Sequence, residues 1–497
     1  MKFLKFIRLK RSFREIDLPS VKIHILRGSL NGKILAEYKV GLSNVSIVND
    51  SYVINDPAIS EEEVKELERK ASQLLYLLPL EAIKDEKIFE KYVGINNEVL
   101  LYFLKRELLG YGAYDILMND ENIEDIVSWP GQTICKHREF GTLKVNIELS
   151  EKDFERHIEK LVHMAGKSIS LFHPILSARL PTNDRLTVTY AREVSDKPSF
   201  AIRKFPRKPW SITSIMMMGT LTPEMAAYLM LLIKYKKAIL ICGPIGSGKT
   251  SLINALCSLI PAESIVVTVE DTPELRLARR NWISFITRES MNVEERGEIT
   301  MFDLVKHALR QPADYIIVGE VRGEEGRIWA QAISTGHGGI TSLHADTPEG
   351  ALERLRADPI RVSEGALRFL STIVIIKSIT IEKGLGIRIN GRRVLGIYDL
   401  SINGAIPIFK YEPTTDSFIQ VNNPIQSRAI NEIMEIIPRY KLEEEYRLYT
   451  SFLRRLKETL PLNPQLGSHI VVTELIQELY RNSLGGPFIE KLSNYTN

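Results

Sequence analysis

Residues 243–250 read GPIGSGKT and satisfy the pattern G-x-x-x-x-G-K-[ST] at every fixed position. The five residues before them, AILIC (238–242), are a short apolar run suited to a buried strand, and Leu252, Ile253, Leu256 and Leu259 follow at helical spacing. Strand, glycine-rich loop and helix in that order make a phosphate cradle. Gly243, Gly246 and Gly248 permit the tight turn that aims backbone N–H groups and the positive end of the helix at one anion. Lys249 supplies a point charge for the β- and γ-phosphates and Thr250 a hydroxyl for Mg²⁺, with Pro244, Ile245, Ser247 and Ser251 completing the loop. The stretch predicts an α/β core with ATP and Mg²⁺ as ligands.

Working downstream, SIVVTV (264–269) reads as a strand and delivers Glu270 at its C-terminal end, where open α/β sheets place their ligands. Asp314 opens a second apolar strand, YIIV, which delivers Gly319-Glu320. A carboxylate at that position orders a Mg²⁺-bound water or takes a proton from the attacking one, so Glu320 and Glu270 are the candidate catalytic acids. His337 and His344 stand seven residues apart in TGHGGITSLHAD (335–346), with the Gly pair predicting a turn between them. Two histidines without a third ligand are a weak zinc signal, and they are expected as hydrogen-bonding sensors near the nucleotide.

The remainder of the 497 residues narrows the class. With 44% apolar and 26% charged residues the chain is that of a folded protein, long enough for several cores. Lys and Arg number 65 against 62 Asp and Glu, a balance of +3 that argues against a nucleic-acid wrapper. Three cysteines are too few for a disulfide framework, and the longest apolar run is about half of the roughly 20 residues that span a bilayer. These features predict a cytoplasmic protein without a signal peptide. The first fourteen residues, MKFLKFIRLKRSFR, carry six cations and no acid, which suits peripheral contact with an anionic membrane surface; a solvated start to the fold is the other reading.

Short strand-like runs, VKIHIL, KILAEYKV, VSIV and YVI, occupy residues 21–56. Ser60 and Glu63 form a capping box ahead of a helix running to Pro79. A second helical stretch spans Val99 to Leu109. The expected domains are an N-terminal extension (1–105), a smaller α/β domain (106–205), a linker (206–221), the phosphate-binding domain (222–405) and a partly helical C-terminal tail (406–497), in which Tyr446, Tyr449, Leu453 and Leu456 mark an amphipathic helix.

The ordered set GPIGSGKT, VEDTPEL, DYIIVGEVRG and STGHGGITSLHAD resembles the Walker A, Asp-box, Walker B and His-box of the type II and type IV secretion ATPases. The likeness runs from about residue 36 to about 400. GYGAYDILMNDENIEDI (110–126) is similar to the archaeal branch, and the tetracysteine zinc module of the bacterial branch is absent. The resemblance implies a RecA-like core, a homo-hexameric ring, and a polytopic membrane platform protein of a pilus or archaellum system as partner. On the stretch 178–205 it further implies that Arg185, Arg192 and Arg203 reach a neighbouring subunit's nucleotide. Assembly of a type IV pilus-like filament or secretion apparatus is the expected function. A conjugation-type DNA or protein translocation motor and a non-hydrolysing ATP-binding regulator are the alternatives.

Overall fold

The computed structural model describes residues 21–190, 194–288, 297–383, 387–401 and 404–481. It divides into two units, Met1–Phe205 and Pro206–Asn497. The N-terminal basic arm and Arg192 lie outside the described residues.

In the first unit, nine strands form one sheet: β1 (Ile34–Val40), β2 (Ser43–Val48), β3 (Ser51–Asn55), β4 (Ile123–Trp129), β5 (Gln132–His137), β6 (Gly141–Val145), β7 (Ile175–Arg179), β8 (Arg185–Thr189) and β9 (Ser199–Arg203). Their order is β1-β2-β3-β6-β5-β4-β9-β8-β7. The expected boundary at 105/106 therefore does not divide the unit, because β3 pairs with β6 across it. Strands β5, β6, β8 and β9 alternate as a sheet with one covered face should, whereas β2 and β3 are buried along most of their length. Ile126, Cys135, Leu186, Val188, Phe200 and Ile202 are buried with Phe154, Ile158 and Leu161 of the helix Glu151–Met164.

Residues 21–26, VKIHIL, are extended in pattern yet form no strand. Their backbone amides are taken by side chains instead: Val21 donates to Ser72 Oγ, Ile23 to Glu68 Oε1 and Leu26 to Asp56 Oδ2. Ser72 and Glu68 belong to the helix Glu61–Leu77, which starts at the Ser60/Glu63 capping box.

The second unit is built on another nine-stranded sheet: β10 (Ala238–Cys242), β11 (Val266–Glu270), β12 (Trp282–Ile286), β13 (Tyr315–Val318), β14 (Gly338–Leu343), β15 (Leu370–Lys383), β16 (Ile387–Ser401), β17 (Gly404–Glu412) and β18 (Ser417–Gln420). The order is β12-β11-β13-β14-β10-β15-β16-β17-β18, parallel from β12 to β15 and antiparallel thereafter. Ile239 and Ile241 of β10 enter one core while Ala238, Leu240 and Cys242 enter another, so both faces are covered. Such double burial is what an uninterrupted apolar run like AILIC requires.

The segment expected as a linker holds the helix Ile212–Met217, whose Ile212, Ile215 and Met216 join the first of those cores. The expected tail is likewise part of the unit. Strands β17 and β18 extend the sheet, and the helices Arg439–Thr459 and His469–Arg481 bury Tyr449, Phe452, Leu453, Leu456, Val472 and Ile476 in the same core. Polar contacts fix the docking. Glu445 accepts from Lys234 and Tyr235, while Gln477 and Tyr480 donate to the carbonyls of Ile260 and Leu259 just beyond the helix Lys249–Cys257.

Candidate nucleotide site

Strands β10, β11, β13 and β14 are parallel neighbours, so the loops leaving their C-terminal ends share one edge of the sheet. Those loops carry the phosphate loop, Glu270, Glu320 and His344.

The phosphate loop is shaped by glycine. Gly246 and Gly248 adopt φ of 73° and 95°, left-handed values that L side chains rarely take. A Cβ on Gly243 would fall 2.1 Å from the Ile376 carbonyl oxygen of β15, which leaves room only for a hydrogen. The helix Lys249–Cys257 begins at Gly248 without a side-chain cap, so its first N–H groups have no intrinsic acceptor. Ser247 Oγ is buried with no hydrogen-bond partner. Open amides, a positive helix end and an unanswered hydroxyl fit a phosphate chain. Pro244, Ile245 and Gly246 form the exposed rim of the loop, and Thr250 and Ser251 are half-buried in the first turn of its helix.

Lys249 is folded back into this loop. Its ammonium donates to the carbonyls of Gly243 (3.0 Å) and Pro244 (3.1 Å) and lies 3.0 Å from His344 Nδ1. Burial pushes it below the usual lysine range, with Glu320 acting in the opposite direction. An ammonium can only donate, so Nδ1 of His344 must accept, which puts the ring proton on Nε2. That nitrogen stands 2.7 Å from Glu320 Oε1. Glu320 Oε2 in turn accepts from Arg322 at 2.8 Å. Lys249, His344, Glu320 and Arg322 thus stand in one row of close polar contacts, in which the His344–Glu320 approach is close in distance but leaves Glu320 Oε1 without a hydrogen bond.

Glu270 sits on the adjacent strand end. Its Oε1 accepts the backbone N–H groups of Glu274 (2.9 Å) and Leu275 (3.0 Å), and its Cγ lies 3.2 Å from where a Cβ on Gly319 would be. The two carboxylates therefore flank Gly319. Glu320 and Thr250 are the oxygen donors suited to a magnesium ion at the end of the loop, a hard cation served by a few protein oxygens and several waters.

His337 does not join this group. The Gly pair predicted a turn, but Gly338–Leu343 is the buried strand β14, and His337 stands at its start whereas His344 stands at its end. His337 instead engages Ala332 O and Thr335 Oγ1 through Nδ1. The glycines serve packing: a Cβ on Gly338 would meet the Tyr315 ring at 2.4 Å and one on Gly339 would meet Ile333 at 2.4 Å.

In the first unit, Arg185 and Arg203 are register partners on β8 and β9, and Arg179 of β7 is the partner of Arg185 on its other side. Directly opposed residues share a face, so three arginines stand abreast, about 5 Å apart, on the side away from the core. Arg203 is ion-paired with Asp125 at 2.9 Å. Arg179 and Arg322 were not singled out from sequence. The six-residue separation of Arg179 and Arg185 around PTND was the available signal for the first, and the position two residues after a strand-end acid was the signal for the second.

Comparison with known proteins places the chain. The family described as "Type II/IV secretion system protein" matches residues 144–375. An uncharacterized protein of Methanocaldococcus jannaschii is 34% identical over 347 residues, 67% of this chain and 61% of that protein, so the chain spans about three fifths of that relative's length. The type IV secretion system protein VirB11 of Bartonella quintana is 31% identical over 244 residues, covering 42% of this chain and 68% of VirB11. Among solved structures, the Legionella pneumophila ATPase DotB shares 16% identity, with 72% of this chain and 92% of DotB covered and a TM-score of 0.43. The chain belongs to the type II/IV secretion system protein family.

Proposed function

We propose that the chain hydrolyses ATP with Mg²⁺ and that turnover drives assembly of a type IV pilus-like filament or secretion apparatus at the cytoplasmic membrane. The observation that carries this reading is the convergence of the glycine-shaped phosphate loop, Lys249, Glu320 and His344 on one sheet edge. Lys249 exchanges its two carbonyl contacts for phosphate oxygens when ATP enters. Release of Lys249 frees the His344 ring to turn, so that its Nε2–H donates to the γ-phosphate. Glu320 then holds the attacking water and takes its proton, with Glu270 alongside as a fixed negative neighbour. Mg²⁺, held by Thr250 and through water by Glu320, would supply charge neutralisation for the phosphates. Charge developing on the γ-phosphate calls for a cation, and Arg185, Arg192 and Arg203 fill that role from a neighbouring subunit of a homo-hexamer.

The partner on this reading is a polytopic membrane platform protein. Peripheral attachment agrees with the finding that, among the described residues, no helix is long and apolar enough to cross a membrane. The test is a pair of variants. Lys249→Ala should abolish Mg²⁺-ATP turnover with the fold intact, and Glu320→Gln should keep nucleotide binding while slowing hydrolysis. Turnover above about a tenth of the parent in Lys249→Ala would overturn the assignment. ATPase stimulation by DNA would move the reading to a translocation motor.

A further inference from the structure

The first unit contains a cavity, lined by apolar and charged side chains together, that the nucleotide reading does not use. It has a volume of 130 Å³ and lies between the segment that opens at Val21, the end of the helix Glu98–Leu108, and one face of the helix Glu151–Met164. A single water needs roughly 10–15 Å³ by the same measure, so the space suits a polyatomic guest with its hydration. Asp153, Arg156, His157 and Lys160 line it at helical spacing, which turns all four toward one side. Lys22, His24 and Glu107 close the remainder.

The hydrogen-bond accounting of these walls is incomplete in one specific way. His157 is 8% exposed, and its Nε2 is buried without a partner. The Nε2 of His24 is also buried, with the Asp153 carboxylate 3.8 Å away. A ring nitrogen buried as deeply as His157 Nε2 is normally bonded, so the wall it belongs to suits a guest with matching polar atoms.

Charge decides the class of that guest. Three cations, Lys22, Arg156 and Lys160, face two carboxylates. Asp153 is already engaged by Lys22 at 2.7 Å and by Ser150 at 2.7 Å, while Arg156 reaches it only at 3.9 Å. Glu107 Oε1 stands 3.7 Å from Lys160 Nζ, which also donates to the Glu107 backbone carbonyl, so these two charges offset one another. The lining is therefore rich in donors, and Arg156, whose only carboxylate contact among the described residues is at 3.9 Å, leaves it one net positive charge. A cation is disfavoured, and no group of three His, Cys, Asp or Glu among the described residues is arranged to hold a metal. Tetrahedral oxygens accept from ammonium, guanidinium and imidazole N–H alike.

We propose that this cavity binds a phosphate-type oxyanion, either free or carried on a small phosphomonoester. Lys160 and the two imidazoles form its floor, and Arg156, half-exposed, closes over it from the rim.

The test uses the full chain carrying Lys249→Ala, so that the phosphate loop contributes little. Titration calorimetry with inorganic phosphate, with sulfate and with glycerol 3-phosphate should show one site per chain. Tighter binding of glycerol 3-phosphate identifies a phosphomonoester as the guest; equal binding identifies the free anion. Adding Arg156→Ala, a change at a half-exposed position that spares the core, should weaken binding about tenfold or more, and His157→Gln should weaken it as well. Lys152→Ala, which removes an exposed cation from the same helix but outside the cavity, should leave it unchanged. No binding by any of the three anions, or an equal loss with Lys152→Ala and Arg156→Ala, overturns the proposal. Because hydrolysis is not read, failure here would leave the ATPase assignment standing.

Discussion

The Nζ of Lys249 stands 3.0 Å from Nδ1 of His344, a residue ninety-five positions later in the chain. The contact makes Nδ1 the accepting nitrogen and leaves Nε2 of the same ring 2.7 Å from Glu320 Oε1.

His344→Ala should therefore damage the chemical step more than binding. The phosphates keep their amides and Lys249, but Glu320 loses a neighbour at 2.7 Å that holds its orientation. We expect kcat to fall by about tenfold to a hundredfold with KM changed less than about threefold, measured by steady-state phosphate release. A rise in KM with kcat unchanged would show that His344 serves only to bind nucleotide.

Gly243→Ala and Gly365→Ala form a contrasting pair. At Gly243 the new methyl meets a backbone carbonyl at 2.1 Å and Ser247 Oγ at 2.7 Å, and the former cannot move without shifting β15. A loss of about 1–3 kcal/mol is expected, together with loss of nucleotide binding. At Gly365 nothing lies within 4 Å, and the same change should be neutral or slightly stabilising. Thermal melts and nucleotide-binding titrations of both variants decide the matter.

Subunit exchange tests the arginine row. A chain with Arg203→Ala mixed with one carrying Glu320→Gln should regain part of the activity that neither has alone, because some interfaces then join an intact arginine to an intact acid. Coupled ATPase assays on samples shown to mix read this directly. Absence of recovery would assign Arg203 to its pairing with Asp125, an exposed ion pair of at most about 1 kcal/mol.

Acid should weaken the second unit through His469. Both its ring nitrogens are buried and unpartnered, and burial lowers it to about 4 from an ordinary 6.5. Between those values the unfolded chain binds the proton and the folded chain does not. Stability is therefore lost as pH falls from about 6.5 to 4, by on the order of 2–3 kcal/mol, and is unaffected by this group above that window. His469→Leu should flatten that part of the stability profile in urea melts taken across the range. An unchanged slope would show that the imidazole finds solvent.

What sequence disclosed and what it concealed divide along a physical line. The phosphate loop was legible because its glycines and lysine answer to local backbone geometry. Glu270 and Glu320 were legible because short apolar runs deliver them at strand ends. His337 was misplaced because a glycine pair signals a turn by composition, whereas here Gly338 and Gly339 make space for Tyr315 and Ile333, contacts made by residues distant in the chain or on another element. VKIHIL read as a strand because alternation says nothing about which acceptors its amides will find. The tail was read as an appendage because its helices are amphipathic, and only the tertiary structure shows that their apolar faces complete the core behind the phosphate-loop helix.

The meeting of Gly243 with Ile376 shows where the fold around the phosphate loop is finished. The four motifs of the phosphate-binding core end by residue 346, and the family match ends at residue 375. Yet the wall against which the loop leans begins at Ile376, Arg392 of β16 lies over Gly248 at 3.6 Å from a would-be Cβ, and Tyr480 and Gln477 anchor the far end of the same short helix. The phosphate loop is thus suspended between two parts of the chain that carry no signature of their own. Strands β15 and β16 and the helix His469–Arg481 therefore hold the two ends of the phosphate-loop helix in place.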